Sequence, residues 1–139
     1  MEDLKQIREE FMKWIRDNKA KEYRLKGLIE KYSFWREKWM SVGGINYEVE
    51  RVQGGTGIDP HMHAFSRMLE TEEQIKKVKQ DLQDFYLFRK SLTEKQVLFF
   101  DEVLIKNRKM SDFCKRNNVS LSRGYELKNL IVWLWYKTQ

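Results

Sequence analysis

The chain has 139 residues and a net charge of +6, with 35% charged and 14% aromatic residues; that length suits one ordinary domain, or a helical framework carrying a small module. A single cysteine, Cys114, excludes an intramolecular disulfide framework and a cysteine-based zinc cluster, and no apolar run approaches the roughly 20 residues that span a bilayer. The opening Met1-Glu2-Asp3-Leu4 lacks the basic and apolar stretches of a secretion signal, so the expectation is an intracellular protein with no membrane association.

In chain order, Leu4, Ile7, Phe11, Trp14 and Ile15 keep a three-and-four spacing that defines one helical face, predicting a first helix to about Asp17. A second register follows at Leu25, Leu28, Tyr32, Trp35, Trp39 and Val42, a seam that packs on another helix. Gly43-Gly44 closes this second helix as a C-terminal cap. Residues 45–60 concentrate glycine in Gly54-Gly55-Thr56-Gly57 and read as a loop with room for a small hairpin. That glycine run lacks the Gly-Lys-Ser/Thr of a phosphate loop. Asp59-Pro60 then marks a helix start, aspartate capping and proline first in the helix. Ala64, Met68, Thr71, Ile75, Val78, Leu82 and Phe85 form a matching seam, so the second and third helices should make an antiparallel hairpin. Helix one adds a layer or meets a second copy of the chain.

Thr93-x-x-Gln96 has the form of a capping box that opens a further helix, with Val97, Phe100, Val103 and Leu104 facing inward. A connection at 107–110 leads to a short helix over 111–117, with Phe113 and Cys114 inside. Asn117-Asn118-Val119-Ser120 is a turn, since asparagine tolerates positive φ. Ser120 or Ser122 caps the last helix, which Leu127, Leu130, Ile131 and Leu134 hold down. Short helix, tight turn, second helix is helix-turn-helix order. The predicted fold is therefore all-α, with a helical-hairpin or oligomerisation region over 1–90 and a helix-turn-helix module over 91–139.

Charge sharpens this division. Lys and Arg exceed Asp and Glu by only one in residues 1–60 and by one in 61–90, but by nine against five in 91–139. Between 106 and 128, seven cations oppose Asp112 and Glu126, the local footprint of a surface that meets phosphate, or of the solvated face of a basic protein. If the last helix enters a major groove, Arg123 is the candidate base contact, and Ser120 and Ser122 suit a phosphate oxygen at its N-terminal end. Lys106, Arg108, Lys109, Lys115, Arg116 and Lys128 are candidate backbone contacts, while Tyr125 could serve either role. Asp59, His61 and His63 could offer metal ligands, but His61 and His63 point about 200° apart on a helix. No metal, cofactor or catalytic nucleophile is predicted, so the expectation is a binding protein rather than an enzyme.

The run LTEKQVLFFDEVLIKNRKMSDFCKRNNVSLSRGYELKNLI resembles the region-4-like helix-turn-helix of sigma factors over residues 92–134. Phe113 and Cys114 match the apolar and small pair of its first helix, and Asn118 stands where glycine is usual. Asn117 takes a usually apolar position, Gly124 replaces a β-branched anchor, and the ending Trp133-Leu134-Trp135-Tyr136 is unusual. Upstream, Tyr32-x-x-Trp35, Ile45-Asn46-Tyr47, Gln53-Gly54-Gly55-Thr56-Gly57 and Asp59-Pro60 resemble small phage-encoded regulators of the ArpU and RinA type from Gram-positive hosts. That resemblance implies a cytoplasmic regulator of late or packaging genes in the bacterial host cell. It would bind double-stranded DNA as a homodimer or docked on host RNA polymerase. The competing expectation is a phage inhibitor or adaptor that presents the same scaffold to another host protein.

Overall fold

The computed structural model describes residues 3–42 and 59–139, and these are helical with no strand among them. Of the predicted loop at 45–60, residues 45–58 with the Gly54–Gly57 run lie outside the described residues, as does the Gly43-Gly44 cap. Helix α1 spans Leu4–Val42, α2 Pro60–Asp81 and α3 Gln83–Ser91. Helix α4 spans Glu94–Phe99 and runs into a π turn, Phe100–Ile105, before α5 (Met110–Arg116) and α6 (Leu121–Lys137). Among the described residues, no helix is long and apolar enough to cross a membrane.

One difference from the sequence expectation is that α1 is continuous, where two registers indicate two helices. Nothing between Asp17 and Leu25 breaks a helix, since the stretch holds neither glycine nor proline. Asn18, the polar residue nearest the register change, is buried and donates its amide to the Trp14 carbonyl one turn back (2.8 Å). The apolar face shifts around a backbone that does not stop. Farther along, the predicted third helix pauses at Leu82, which separates α2 from α3.

Two compact units result. One joins residues up to Ala20 with Leu82–Gln139; the other is Lys21–Asp81. The first unit owes its composition to a shared apolar cluster, in which α1 supplies Ile7, Phe11 and Ile15, α3 supplies Phe85 and Phe88, and α6 supplies Ile131, Val132 and Trp135. Phe11 lies 5.3 Å from the Trp135 ring and 6.3 Å from that of Phe88, while Trp14 meets Phe85, Phe88 and Trp135 at 5.4–5.7 Å. Offset and edge-to-face rings of this kind add about 0.5–1.5 kcal/mol per pair beyond the area they bury. The first turns of α1 are therefore part of the same body as the C-terminal helices.

The π turn explains a second difference. Successive residues of an α-helix point about 100° apart, yet Phe99 and Phe100 are both fully buried. The widened turn that begins at Phe100 lets Phe99 meet Phe113 of α5 edge-on at 5.3 Å while Phe100 meets Phe85 and Phe88 of α3. Ahead of it, Thr93 and Gln96 form the predicted capping box, Thr93 N–H donating to Gln96 Oε1 (2.9 Å) and Gln96 N–H to Thr93 Oγ1 (3.4 Å). A bidentate pair from Arg89 to Asp101 (2.9 and 2.6 Å) fastens α3 to the π turn.

Within the second unit, Trp39 stacks on His61 (5.7 Å) and lies near Phe65 (5.4 Å), and Trp35 meets His63 edge-on (5.6 Å). The end of α1 thus faces the start of α2, and Ala64, Met68, Thr71 and Val78 are buried along α2. Asp59 caps α2 through the His61 N–H (3.0 Å), followed by Pro60 as the first helical residue.

Candidate nucleic-acid interface

Helix α5, a four-residue turn and α6 lie side by side at the C-terminal end of the first unit. Asn118, at φ 54°, supplies the left-handed residue of the turn, and Val119 N–H reaches back to the Cys114 carbonyl (2.9 Å). Ser120, rather than Ser122, caps α6 by accepting from Arg123 N–H (3.2 Å). Gly124 is buried where the two helices touch: a Cβ there would sit 2.6 Å from Cys114 Sγ and 2.9 Å from Met110 Sδ. The glycine at this position therefore has a steric cause. Helix α5 approaches α6 too closely for a side chain.

This contact fixes which face of α6 looks outward. Gly124, Ile131, Val132 and Trp135 are buried, while Ser122, Glu126, Asn129 and Trp133 are exposed on the opposite side. Leu127 and Leu134 are half-buried as predicted for inward positions, but Leu130 is exposed. Its place lies about 100° from that of Ile131 around the helix, and Val132 and Trp135 fill the core instead. Arg123 and Tyr125 flank the outward face on opposite sides, being about 200° apart around the axis, and Lys128 is half-buried. Arg123 pairs with Glu126 (3.3 Å) in an exposed ion pair. Arg8 of α1 donates to Asn129 Oδ1 (2.9 Å), bringing to the edge of this face a cation that no C-terminal motif could reveal.

The remaining predicted cations gather elsewhere. Arg108, Lys109, Lys115 and Arg116, with Asn107 and Asp112, line an open depression of about 520 Å³. Lys106 joins their base through Glu102, whose carboxylate forms ion pairs at 2.9 Å with Arg108 Nε, 3.7 Å with Arg116 Nη2 and 3.9 Å with Lys106 Nζ. The sequence does not single out Glu102, because its partners lie 4, 6 and 14 residues later. Only the first spacing is a helical one. A second groove, of about 430 Å³, runs past Leu98, Phe113, Val119, Arg123, Leu127 and Leu130. Of the ten predicted residues, Arg123 borders the apolar groove, four cations share the depression, and Ser120, Ser122 and Tyr125 occupy the exposed start of α6.

At the other candidate, His61 and His63 are packed against Trp39 and Trp35. Among the described residues no three His, Cys, Asp or Glu side chains group closely enough to hold a metal ion. No family model matches the chain, and no curated protein or solved structure matches it.

Proposed function

We propose that this chain is a sequence-specific DNA-binding transcriptional regulator of the small phage-encoded type, not an enzyme, in which α5 and α6 act as a helix-turn-helix of the sigma region-4 kind. The observation that carries the reading is the contact at Gly124. It buries one side of α6 against α5 and leaves Ser122, Arg123, Tyr125 and Glu126 outward on the first two turns, the part of a recognition helix that reaches base edges. Arg123 is the proposed base contact, released from Glu126 on binding; an exposed pair of this kind is worth about 0–1 kcal/mol. Ser120, Ser122 and Tyr125 border the same end, and Lys106, Arg108, Lys109, Lys115, Arg116 and Lys128 contact the backbone of double-stranded DNA. A single module of this size buries little surface, so a homodimer, through the α1–α2 helical hairpin, or docking on host RNA polymerase in the bacterial cytoplasm completes the affinity.

The test is binding to DNA from the chain's own genomic neighbourhood beside scrambled DNA, at two salt concentrations. Preference for the former that Arg123→Ala removes supports the regulator; indifference to sequence and to Arg123→Ala refutes it. One observation favours a second reading, an inhibitor or adaptor for a host protein. The 430 Å³ groove carries exposed Leu98 and Leu130 beside the α5–α6 turn, an apolar surface of the type that receives a partner's side chain.

A further inference from the structure

Two features of the basic depression go beyond its charge. The first is how its arginines are held. Asn107, at φ 56°, turns the chain back so that Arg108 N–H donates to the Glu102 carbonyl (3.1 Å) and its side chain forms an ion pair with the Glu102 carboxylate (2.9 Å). Arg116 approaches the same carboxylate from the last turn of α5. Glu102 is the least exposed of the four ionic partners, its side chain 19% accessible against 45–56% for Arg108, Arg116 and Lys106. The Arg108 pair runs through Nε, and both arginine side chains are about half exposed. The second feature is what stands in front of them: Lys109 and Lys115 line the same depression and form no ion pair among the described residues.

Resting on the DNA-binding reading above, we infer that this depression is a clamp for backbone phosphates and that Glu102 is its positioning residue. Five cations against Glu102 and Asp112 leave a local charge of +3, and two arginines already held in place lose less freedom when a phosphate arrives. The two carboxylates then have opposite effects although they carry the same charge. Asp112 lines the depression and repels phosphate, whereas Glu102, beneath the arginines, fixes them.

The experiment measures binding of the full chain to a short random-sequence duplex, and separately to inorganic tripolyphosphate, across a salt series. Asp112→Asn tightens duplex binding, while Glu102→Gln weakens it about threefold or more despite the same gain of positive charge, with the helical circular dichroism retained. Lys109→Gln with Lys115→Gln, both exposed and free of packing, lowers the slope of log affinity on log salt by about two, as loss of two phosphate contacts requires. Tightening by Glu102→Gln equal to that of Asp112→Asn would overturn the positioning role, and an unchanged salt slope in the lysine pair would overturn the clamp, each with DNA binding itself intact. Binding of tripolyphosphate without duplex would overturn it in favour of a free polyphosphate. Absence of binding to either would refute the DNA-binding reading on which it rests.

Discussion

Replacing Gly124 with alanine sets two effects of known size against each other. Away from contacts, glycine to alanine inside a helix stabilises by about 1 kcal/mol. Here the new methyl carbon would lie 2.6 Å from Cys114 Sγ, about 0.8 Å inside the 3.4 Å at which ordinary contact begins. The Met110 sulfur at 2.9 Å can swing aside on its flexible chain. Cys114 is buried and its sulfur is one bond from the backbone-attached carbon, so relief requires a rotamer change or separation of α5 from α6. Overpacking of this kind costs about 1–3 kcal/mol, and the net expectation for Gly124→Ala is a loss of about 1 kcal/mol; Gly124→Val should lose about 3 kcal/mol. With Cys114→Ala already in place the obstacle is gone, so the same Gly124→Ala change should become neutral or stabilising. The resulting coupling is about 1–2 kcal/mol in a double-mutant cycle measured by urea denaturation with circular dichroism. A gain of about 1 kcal/mol for Gly124→Ala in the otherwise unaltered chain would show that the two helices do not approach as described.

Other substitutions test separate parts of the argument. Thr93→Ala removes the hydroxyl half of the capping box and should cost about 1 kcal/mol in urea melts; no change would mean that α4 starts elsewhere. Asn118→Gly should be tolerated or slightly stabilising and Asn118→Val should cost about 1–2 kcal/mol, because only the former accepts φ 54° freely. Phe11→Ala, at a fully buried position among α3 and α6 aromatics, should cost about 3–5 kcal/mol. It should also accelerate amide exchange in α6, far away in sequence. A fragment starting at residue 91 should accordingly fail to give cooperative unfolding, and a sharp melt of that fragment would contradict the shared core.

Features governed by neighbours a few residues apart are legible in the amino-acid sequence alone. The Thr93–Gln96 box, the Asp59–Pro60 start and the Asn118 turn each depend on a local donor, acceptor or backbone preference, and each is present. What escapes a sequence reading is set by contacts across the fold. The change of apolar register after Ile15 resembles a break, although α1 only passes from serving one cluster to serving another. Phe99 gives no sign of burial because its place depends on a π turn, which no 3.6-residue pattern encodes. The place of Phe85 and Phe88 is hidden for the same reason: they continue the α2 periodicity, and only the fold shows that they face Trp14 and Phe11. At the candidate interface, composition reveals the excess of cations but not their grouping around Glu102, whose Arg108 and Arg116 partners follow no helical spacing.

That grouping changes what a count of charges can mean. Of the seven cations between 106 and 128, Lys106, Arg108 and Arg116 share one carboxylate and Arg123 has Glu126, whereas Lys109, Lys115 and Lys128 form no ion pair among the described residues. An arginine held against a carboxylate contributes geometry to anion binding, and a free lysine contributes mainly long-range attraction that salt screens. Removing free lysines should therefore alter the salt dependence of binding most. Changes at Arg108 or Arg116 should instead persist at high salt, where screened attraction has faded and the fixed donors remain. The two kinds of cation separate along the salt axis, even though the sequence writes them in one run.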